Sequence, residues 1–543
     1  MVKTARKKQR RFGFACKLMA VGLAALVSGS AYAHDHHFGF PFISGNLVVT
    51  RSVYDNNPNN VTVGETLPPG CTSGCGAAIN DGTYPQIFNN DNVDGSFGIT
   101  SKIFLDQITP FGFRVGSLEV PNASEFRFPS GEAGVVTSFS SKSELALNLS
   151  LNHKYLTFMG YESPIDTVDV SASNAPGVID PTNPVAATVY RVVAQVDQQG
   201  QFRFTATNAY SGDNGRGAFF NDDAKVFYTT GNAGNGSNPQ PPGIVLGAGA
   251  QLVFPEDMPL AEQVAEIPTP LGSFDVTQLG DKQDKIGKDD NFRGMTVFNN
   301  VVYYTKGSGS NGVNTVYFVD TTGTACPKGV GLPSPSATLP TTPLAYTAPL
   351  ASGVPLPSNM CILSGFPTSL AKATTPAPRY PFGIWFANAD TLYVADEGDG
   401  TFADAGTSTT AGLQKWVFNA STSTWGLAYV LQTGLGLGVP YTVPGYPTGI
   451  NTVTGLPWAP ETAGLRNLTG IVNRDRTATI YAITSTVSGD DDQGADPNKL
   501  VAITDDLAAT SLPASEKFQT IRSAGFAEVL RGVAWAPGDD HGF

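Results

Sequence analysis

The sequence predicts an all-β fold built from a repeated unit of two adjacent strands. Glycine and proline are abundant, at 60 and 39 of 543 residues, and the apolar runs are short and alternate with turn residues. One phrase recurs about every 80 residues: a large apolar residue or Arg, a Gly, an apolar run, a turn and a second apolar run. Such a long, regular period indicates one large repeat body rather than several independent domains.

The copies of this phrase give the number of repeats. They read RGAFFNDDAKVFYTTG from Arg216, FRGMTVFNNVVYYTKG from Phe292, PFGIWFANADTLYVADEG from Pro381, LRNLTGIVNRDRTATIYAIT from Leu465 and a truncated LRGVAWAP from Leu530. A further strand group, SELALNLSLNHKYLTFMGYES, starts one more repeat near Glu144. Each interval can hold the four strands of a propeller blade, so we predict a single β-propeller of six blades, or seven if an insertion hides one.

The two ends of the chain are predicted to share one blade. No partner strands follow LRGVAWAP, whereas the N-terminal region supplies GNLVVTRS, KIFLDQITP and FRVGSLEVP before the first repeat. Pairing these segments would close the ring and remove an open sheet edge. The propeller is therefore predicted over residues 45–537, with a short tail at 538–543.

Residues 1–33 have the features of a secretory signal peptide. The first 20 residues contain seven basic residues and no acidic one, an apolar stretch runs from Leu18 to Val27, and Ala31-Tyr32-Ala33 forms a cleavage site. We therefore expect a secreted or periplasmic protein with a flexible, His-rich segment at 34–44. No later apolar stretch is long enough to predict a membrane span.

The charge restricts the class of partner. The formal net charge is −13 and becomes about −20 once residues 1–33 are removed. An acidic surface repels phosphate backbones, which argues against a nucleic-acid partner and leaves a glycan, a protein or a small molecule.

Four cysteines remain after the predicted cleavage, and an even number in an exported chain suggests two disulfides. The short CTSGC segment favours Cys71–Cys75, so that Cys326–Cys361 would staple the proline-rich insertion between them. A zinc site is the alternative.

The segment Pro381–Phe418 resembles the NHL-type repeat of six-bladed propellers. The matching residues are P-x-G-I from Pro381, then LYVADEGDG and GLQKWVF. The resemblance implies a ring with a central channel but no particular function, because such propellers include lyases, lactonases and binding platforms. In the lactonase-like group, Glu, Asn and Asp side chains converge on calcium. Asn221, Asn299, Asn388 and Asn473 stand at the turns after the repeat starts, and a role as turn residues is the favoured interpretation.

Two sets of charged residues are candidates for a ligand site. Arg216, Arg293, Arg466 and Arg531 recur at the start of inner strands, where they would either form an anion-attracting annulus in the channel or tie neighbouring blades together. Asp396 stands where NHL-type blades fix a turn, and it could instead contact a ligand. Glu397 and Asp399, and the acidic loops with Asp91, Asp94, Asp490, Asp491, Asp492 and Asp496, could hold Ca²⁺ or simply be solvated.

Cleavage after Ala33 would expose His34-Asp35-His36 at a free N-terminus. The amine, two backbone amides and the His36 imidazole form a tetragonal nitrogen set that suits copper(II) or nickel(II). His153 is the one histidine within the propeller body, and the sequence contains none of the common hydrolase or phosphate-loop motifs. The sequence therefore predicts an exported binding module. The alternatives are a lactonase-like or lyase-like propeller enzyme and N-terminal metal capture.

Overall fold

Antiparallel strands account for nearly all regular structure in the computed structural model. It describes residues 41–121, 134–232, 249–255, 260–264, 267–272, 291–309, 312–345, 359–373, 379–490 and 493–538. Three short 3-10 helices, Pro58–Asn60, Gln86–Asn92 and Val170–Ala172, are the helical elements of these residues. The all-β prediction is confirmed, and the sheets have a β-propeller-like arrangement.

The strands are, in chain order, β1 (Leu47–Val53), β2 (Thr66–Leu67), β3 (Gly76–Ala77), β4 (Thr100–Ile108), β5 (Arg114–Glu119), β6 (Val135–Ser138), β7 (Asn148–Leu149), β8 (Tyr155–Glu162), β9 (Arg191–Asp197), β10 (Phe202–Thr207), β11 (Gly215–Asn221), β12 (Val226–Gly231), β13 (Ala250–Val253), β14 (Leu260–Ala261), β15 (Phe292–Phe298), β16 (Val301–Lys306), β17 (Thr315–Val319), β18 (Val330–Gly331), β19 (Met360–Leu363), β20 (Pro381–Asn388), β21 (Thr391–Asp396), β22 (Gly412–Asn419), β23 (Thr424–Leu431), β24 (Glu461–Val472), β25 (Thr477–Val487), β26 (Lys499–Asp506), β27 (Gln519–Ser523) and β28 (Glu528–Trp535).

The N-terminal and C-terminal strands pair in one sheet, as the missing partners of LRGVAWAP suggested. Strand β28 lies antiparallel to β1, with Val48 opposite Ala534, and β1 continues the sheet to β4 and β5. The alternating apolar residues of β1 and β28 pack into the sheet interfaces on either side.

The prediction of six separate four-stranded sheets is not confirmed. Four sheets contain four or more strands, and another, β11-β12-β13, contains three. The reason is β6, which pairs with β4 at Ser138 and with β8 at Val135. It thereby joins the closing sheet to β8, β9, β10 and β14 as one ten-stranded sheet.

Six strands form a closed series in which neighbouring strands are in contact. We call them the ring strands: β7, β11, β15, β20, β24 and β28. Each contacts the next in this order, and β28 contacts β7. The glycine of the recurring phrase permits this approach, because a Cβ on Gly294 would overlap the carbonyl oxygen of Phe382 in the next ring strand. In the Arg-Gly pair of the phrase, the Arg therefore supplies a charged side chain and the Gly allows the neighbouring backbone to approach closely.

Both predicted cysteine pairs are at disulfide distance. The Cα atoms of Cys71 and Cys75 and those of Cys326 and Cys361 are each 5.9 Å apart. Asp320 lies beside the second pair. The two sulfur atoms of this pair are bonded to each other, which favours the disulfide over the alternative of a zinc site.

In the part of the chain that the structure describes, no helix is long and apolar enough to cross a membrane. The predicted signal peptide, the metal-binding candidates His34, Asp35 and His36, the loop residues Asp491 and Asp492, and residues 539–543 lie outside the described residues.

Candidate functional site

The start residues of the repeats meet at one end of the ring strands. They are Glu144, Arg216, Arg293, Phe382, Arg466 and Arg531. All six are buried, with at most 5% of their surface exposed. Glu144 therefore takes the place that an arginine has in four other repeats, and Phe382 takes the sixth place, where its ring lies 5.8 Å from the Arg293 guanidinium.

A cavity of about 470 Å³, which we call the polar pocket, lies at this end. Lys142, Arg293, Asp213 and Gln493 line it together with six serines: Ser96, Ser138, Ser140, Ser141, Ser143 and Ser171. Hydroxyl groups can donate or accept hydrogen bonds, so the serines can bind a charged ligand without adding charge to the pocket.

Lys142 reaches the polar pocket from the segment that joins β6 to β7. Its Nζ lies 3.3 Å from Glu397 Oε1 and donates to Gln493 Oε1 at 2.5 Å. Burial lowers the pKa of Lys142, the Glu397 carboxylate opposes this, and the charges of Arg293 and Arg466 reinforce it, so that the pKa is about 8. The ammonium group is therefore protonated at neutral pH and can lose its proton in mild alkali.

Arg293 lines the polar pocket and forms no ion pair among the described residues. It donates to the hydroxyls of Ser143 and Ser308, and its Nε has no hydrogen-bond partner among the described residues. Burial and the neighbouring Arg216 charge lower the pKa of Arg293 to about 9. Neutral hydroxyls satisfy its hydrogen bonds, whereas Glu397 and Asp213 oppose its charge without a direct ion pair.

Buried cations and carboxyl groups are gathered around the polar pocket. Lys142, Arg216, Arg293 and Arg466 interact electrostatically with Glu397 and Asp213. Burial raises the pKa of Asp213, whereas the cations hold the pKa of Glu397 at about 2 despite its burial. Glu144 also acts on Arg216, and the exposed Asp91 lines the pocket, so that four cations meet up to four carboxyl groups. Arg293 is the pocket-lining cation that forms no ion pair with any of them.

The other arginines mainly tie sheets together. Arg216 donates to the carbonyl oxygen of Phe292 in the next ring strand at 2.7 Å, and Arg466 Nε lies 3.2 Å from Glu397 Oε2. Arg531 donates to the carbonyl oxygen of Gly494 at 2.8 Å. Of these four predicted annulus residues, Arg293 alone lines the polar pocket as described.

Asp396 fixes a turn, as its NHL-type position implied. Its carboxylate accepts from the backbone amides of Tyr380 and Gly398 and from Gln414 Nε2, at 2.9–3.0 Å. Burial outweighs these donors and raises the pKa of Asp396 to about 7. The Asp399 carboxylate accepts instead from the backbone amide and the hydroxyl of Thr401.

The four asparagines that the lactonase-like resemblance suggested as calcium ligands lie at the turns that follow their ring strands. Asn221 and Asn388 accept backbone amides two or three residues ahead in their own turns, and Asn299 has a positive φ of 48°. These contacts are those of turn residues.

The ring strands also line a second cavity of about 540 Å³, and most of its lining side chains are apolar. Trp385, Met295, Leu468 and Trp535 line it, and His153 lies at its edge. The two cavities therefore differ in their lining: Lys, Arg and Asp side chains line the polar pocket, whereas no Lys, Arg, Asp or Glu among the described residues lines the second cavity.

Sequence reasoning missed Lys142 and the serines around it. Lys142 and four of the serines, Ser138, Ser140, Ser141 and Ser143, lie in SFSSKS just before the first repeat, where no periodic pattern marks them. A basic residue within a serine-rich stretch next to a repeat start is the one signal that could have indicated them.

Comparison with known proteins gives no family. No family model matches the chain, and no curated protein matches it in sequence. Among solved structures, it is similar to a protein from Lactobacillus plantarum, with 8% identity, 91% of this chain and 99% of that chain covered, and a TM-score of 0.29. A structure described as NanB plus Optactamide matches with 10% identity, 92% and 79% coverage and a TM-score of 0.17. Neither similarity is close enough to carry a functional argument.

Proposed function

We propose that the protein is an exported binding module that takes a small organic anion, carrying a carboxylate or phosphate group, in the polar pocket. The observation that carries this proposal is the buried guanidinium of Arg293, which lines the pocket beside Lys142 and forms no ion pair among the described residues. An anion would offset the cost of burying these cations, and the serine hydroxyls would supply its remaining hydrogen bonds. The volume of the pocket is typical of small-molecule sites.

Isothermal titration with phosphate, sulfate, citrate and glucuronate tests this proposal. We expect at least one of these anions to bind, and Lys142→Met to weaken it about 10- to 100-fold through loss of a charge-assisted hydrogen bond. Lys154→Met is the matched control, because Lys154 is exposed and does not line the polar pocket. The absence of binding to the wild-type protein for every anion would contradict the proposal.

The pH dependence gives a second readout of the same site. Because the pKa of Lys142 is about 8 in the ligand-free protein, its charge is present below this pH and is lost above it. Anion affinity should therefore be constant from pH 6 to 7.5 and fall as the pH rises above about 8. The Lys142→Met variant should lack the decrease near pH 8 and keep only the one that Arg293 causes near pH 9. The same profile in the variant and the wild type would show that Lys142 does not contribute to anion binding.

We also propose that the propeller has six blades. The six ring strands contact one another in a closed series, which supports one blade for each start residue, with β6 bridging two neighbouring blades. A crystal structure with four or seven blades around the channel would contradict this count.

Export is proposed from the signal sequence, and two disulfides fit an oxidising compartment. Protein recovered from the periplasm or medium should begin at His34 by N-terminal sequencing. An intact N-terminus would refute the predicted cleavage and remove the copper(II) ligand set at His34-Asp35-His36.

A further inference from the structure

Two buried aspartates lie directly behind one wall of the polar pocket. Asp94 has 8% of its surface exposed, and Asp169 has none. The residues that follow Asp94, from Gly95 to Phe97, line the pocket, and so do Ser171 and Ala172 after Asp169. Both carboxyl groups therefore sit where two pocket loops meet.

In each carboxyl group, one oxygen accepts hydrogen bonds and the other accepts none from the described residues. Asp94 Oδ1 accepts from the backbone amide and the hydroxyl of Ser96, at 3.1 and 2.6 Å. Asp169 Oδ1 accepts from the amide of Gly98 at 3.0 Å. The Oδ2 atoms of both aspartates are buried, and neither meets a donor among the described residues.

The backbone holds the two loops together at this point. The amide of Asp169 donates to the carbonyl oxygen of Gly98 at 2.8 Å, which pairs with the Gly98-to-Asp169 bond in the opposite direction. Asp169 adopts a left-handed conformation with φ of 59°. This conformation is uncommon outside glycine, and the surrounding structure must fix it.

No positive side chain balances the pair. Within the described ranges, neither aspartate forms an ion pair with Lys, Arg or His. Burial, together with the adjacent charge of Asp94, raises the pKa of Asp169 to about 9. The two carboxyl groups lie within hydrogen-bonding reach of each other, and two buried acceptors at that range require a proton or a cation between them.

We propose that Asp94 and Asp169 bind a divalent cation, calcium, behind this wall of the polar pocket. Calcium prefers hard oxygen ligands and accepts irregular, flexible geometry, which fits carboxylates supplied by two loops. Asp91 and Ser96 line the adjoining pocket, so that water molecules can complete the coordination and the ion can enter from this side. The bound ion would fix the two loops that form this wall. The inference does not depend on the anion-binding proposal.

The test is calcium titration of the full-length mature protein after treatment with EDTA, in the absence of any organic anion. We expect one calcium ion to bind in isothermal titration and the Tm to rise by about 3 °C at calcium 100-fold above the Kd. Asp94→Asn and Asp169→Asn should each abolish the Tm rise. Asp320→Asn is the control, since Asp320 is also buried but its carboxylate accepts amides of its own loop, and it should keep the calcium response.

The wild-type titration decides the matter even if a variant does not fold. No binding heat and no Tm change up to millimolar calcium would overturn the site and leave a shared proton between the two carboxyl groups. Calcium binding that persists in both Asn variants would place the ion elsewhere and would equally overturn the proposal. Loss of anion binding, in contrast, would bear on the polar pocket alone.

Discussion

At the residue scale, Glu397 is the carboxylate that holds the charged cluster together. Burial acts to raise its pKa, but Lys142, Arg293 and Arg466 outweigh burial and lower the pKa from 4.5 to about 2. Because the folded-state pKa lies below the unfolded value, ionised Glu397 stabilises the fold above about pH 4.5, and this contribution is lost as the pH falls towards 2.

We expect Glu397→Gln to lower the free energy of unfolding at pH 7 by about 3 kcal/mol and to flatten its decline between pH 4.5 and 2. Chemical denaturation across this range measures both effects. Glu119→Gln is the control, because the Glu119–Lys102 pair is exposed, and surface pairs contribute little. A Glu397→Gln protein with the wild-type stability and pH profile would show that the cluster does not need this carboxylate.

The recurring phrase could indicate some site residues but not others. Arg293 and Glu397 belong to the phrase and were both candidate residues, although Glu397 was considered for calcium and not as a partner of the arginines. Lys142 precedes the first repeat, and Asp169 lies in an irregular loop that meets Asp94 through folding alone. Side chains that converge from loops of different lengths leave no period in the sequence, which is why these two were not predicted.

At the element scale, the ring strands β15 and β20 approach so closely that the residue after Arg293 must lack a side chain. A Cβ on Gly294 would overlap the carbonyl oxygen of Phe382. We expect Gly294→Ala to destabilise the protein by about 1–3 kcal/mol through forced separation of these strands. Gly426→Ala in β23 is the matched control, because the nearest atom to its Cβ would be 3.9 Å away. Urea denaturation of both variants measures the difference, and equal stabilities would contradict the packing argument.

A buried ion pair joins the two neighbouring sheets that contain β22 and β26. Lys415 Nζ lies 2.9 Å from Asp505 Oδ2, and neither side chain has any exposed surface. The hydroxyl of Tyr429 donates to Asp505 Oδ1 at 2.6 Å. Lys415→Met would leave the buried carboxylate without its counter-charge.

We expect Lys415→Met to lower the free energy of unfolding by about 3–5 kcal/mol, measured by guanidinium denaturation. The double variant Lys415→Met/Asp505→Leu should recover a large part of this loss, since it leaves no buried charge unpaired. A double variant as unstable as the single one would indicate that packing of the Lys415 chain, rather than the charge, stabilises this contact.

Elements with a strong apolar pattern were predictable, and bridging elements were not. The phrase predicted β11 with β12, β15 with β16, β20 with β21 and β24 with β25, and each pair is present. Strand β6 has four residues and no place in the phrase, yet it merges two groups of strands into one sheet. Such a short strand is defined by its partners rather than by its own sequence.

At the scale of the whole molecule, β28 connects the end of the chain to its beginning. It pairs with β1, and it contacts the ring strands β24 and β7 on either side. Trp535 Nε1 donates to the carbonyl oxygen of Gly470 in β24 at 2.9 Å. The ring therefore depends on a segment of eight residues near the C-terminus.

A chain that ends at Ala527 should consequently lose cooperative folding rather than lose only a local strand. Removal of β28 exposes the edge of β1 and the apolar residues Leu47 and Val49, and it opens the series of ring strands. We expect no cooperative thermal transition in near-ultraviolet circular dichroism and increased binding of a hydrophobic dye. A chain that ends at Gly538 keeps β28 and serves as the control, with a transition like that of the wild type. A cooperative transition of the shorter chain within a few degrees of the control would show that the ring is stable without its closing strand.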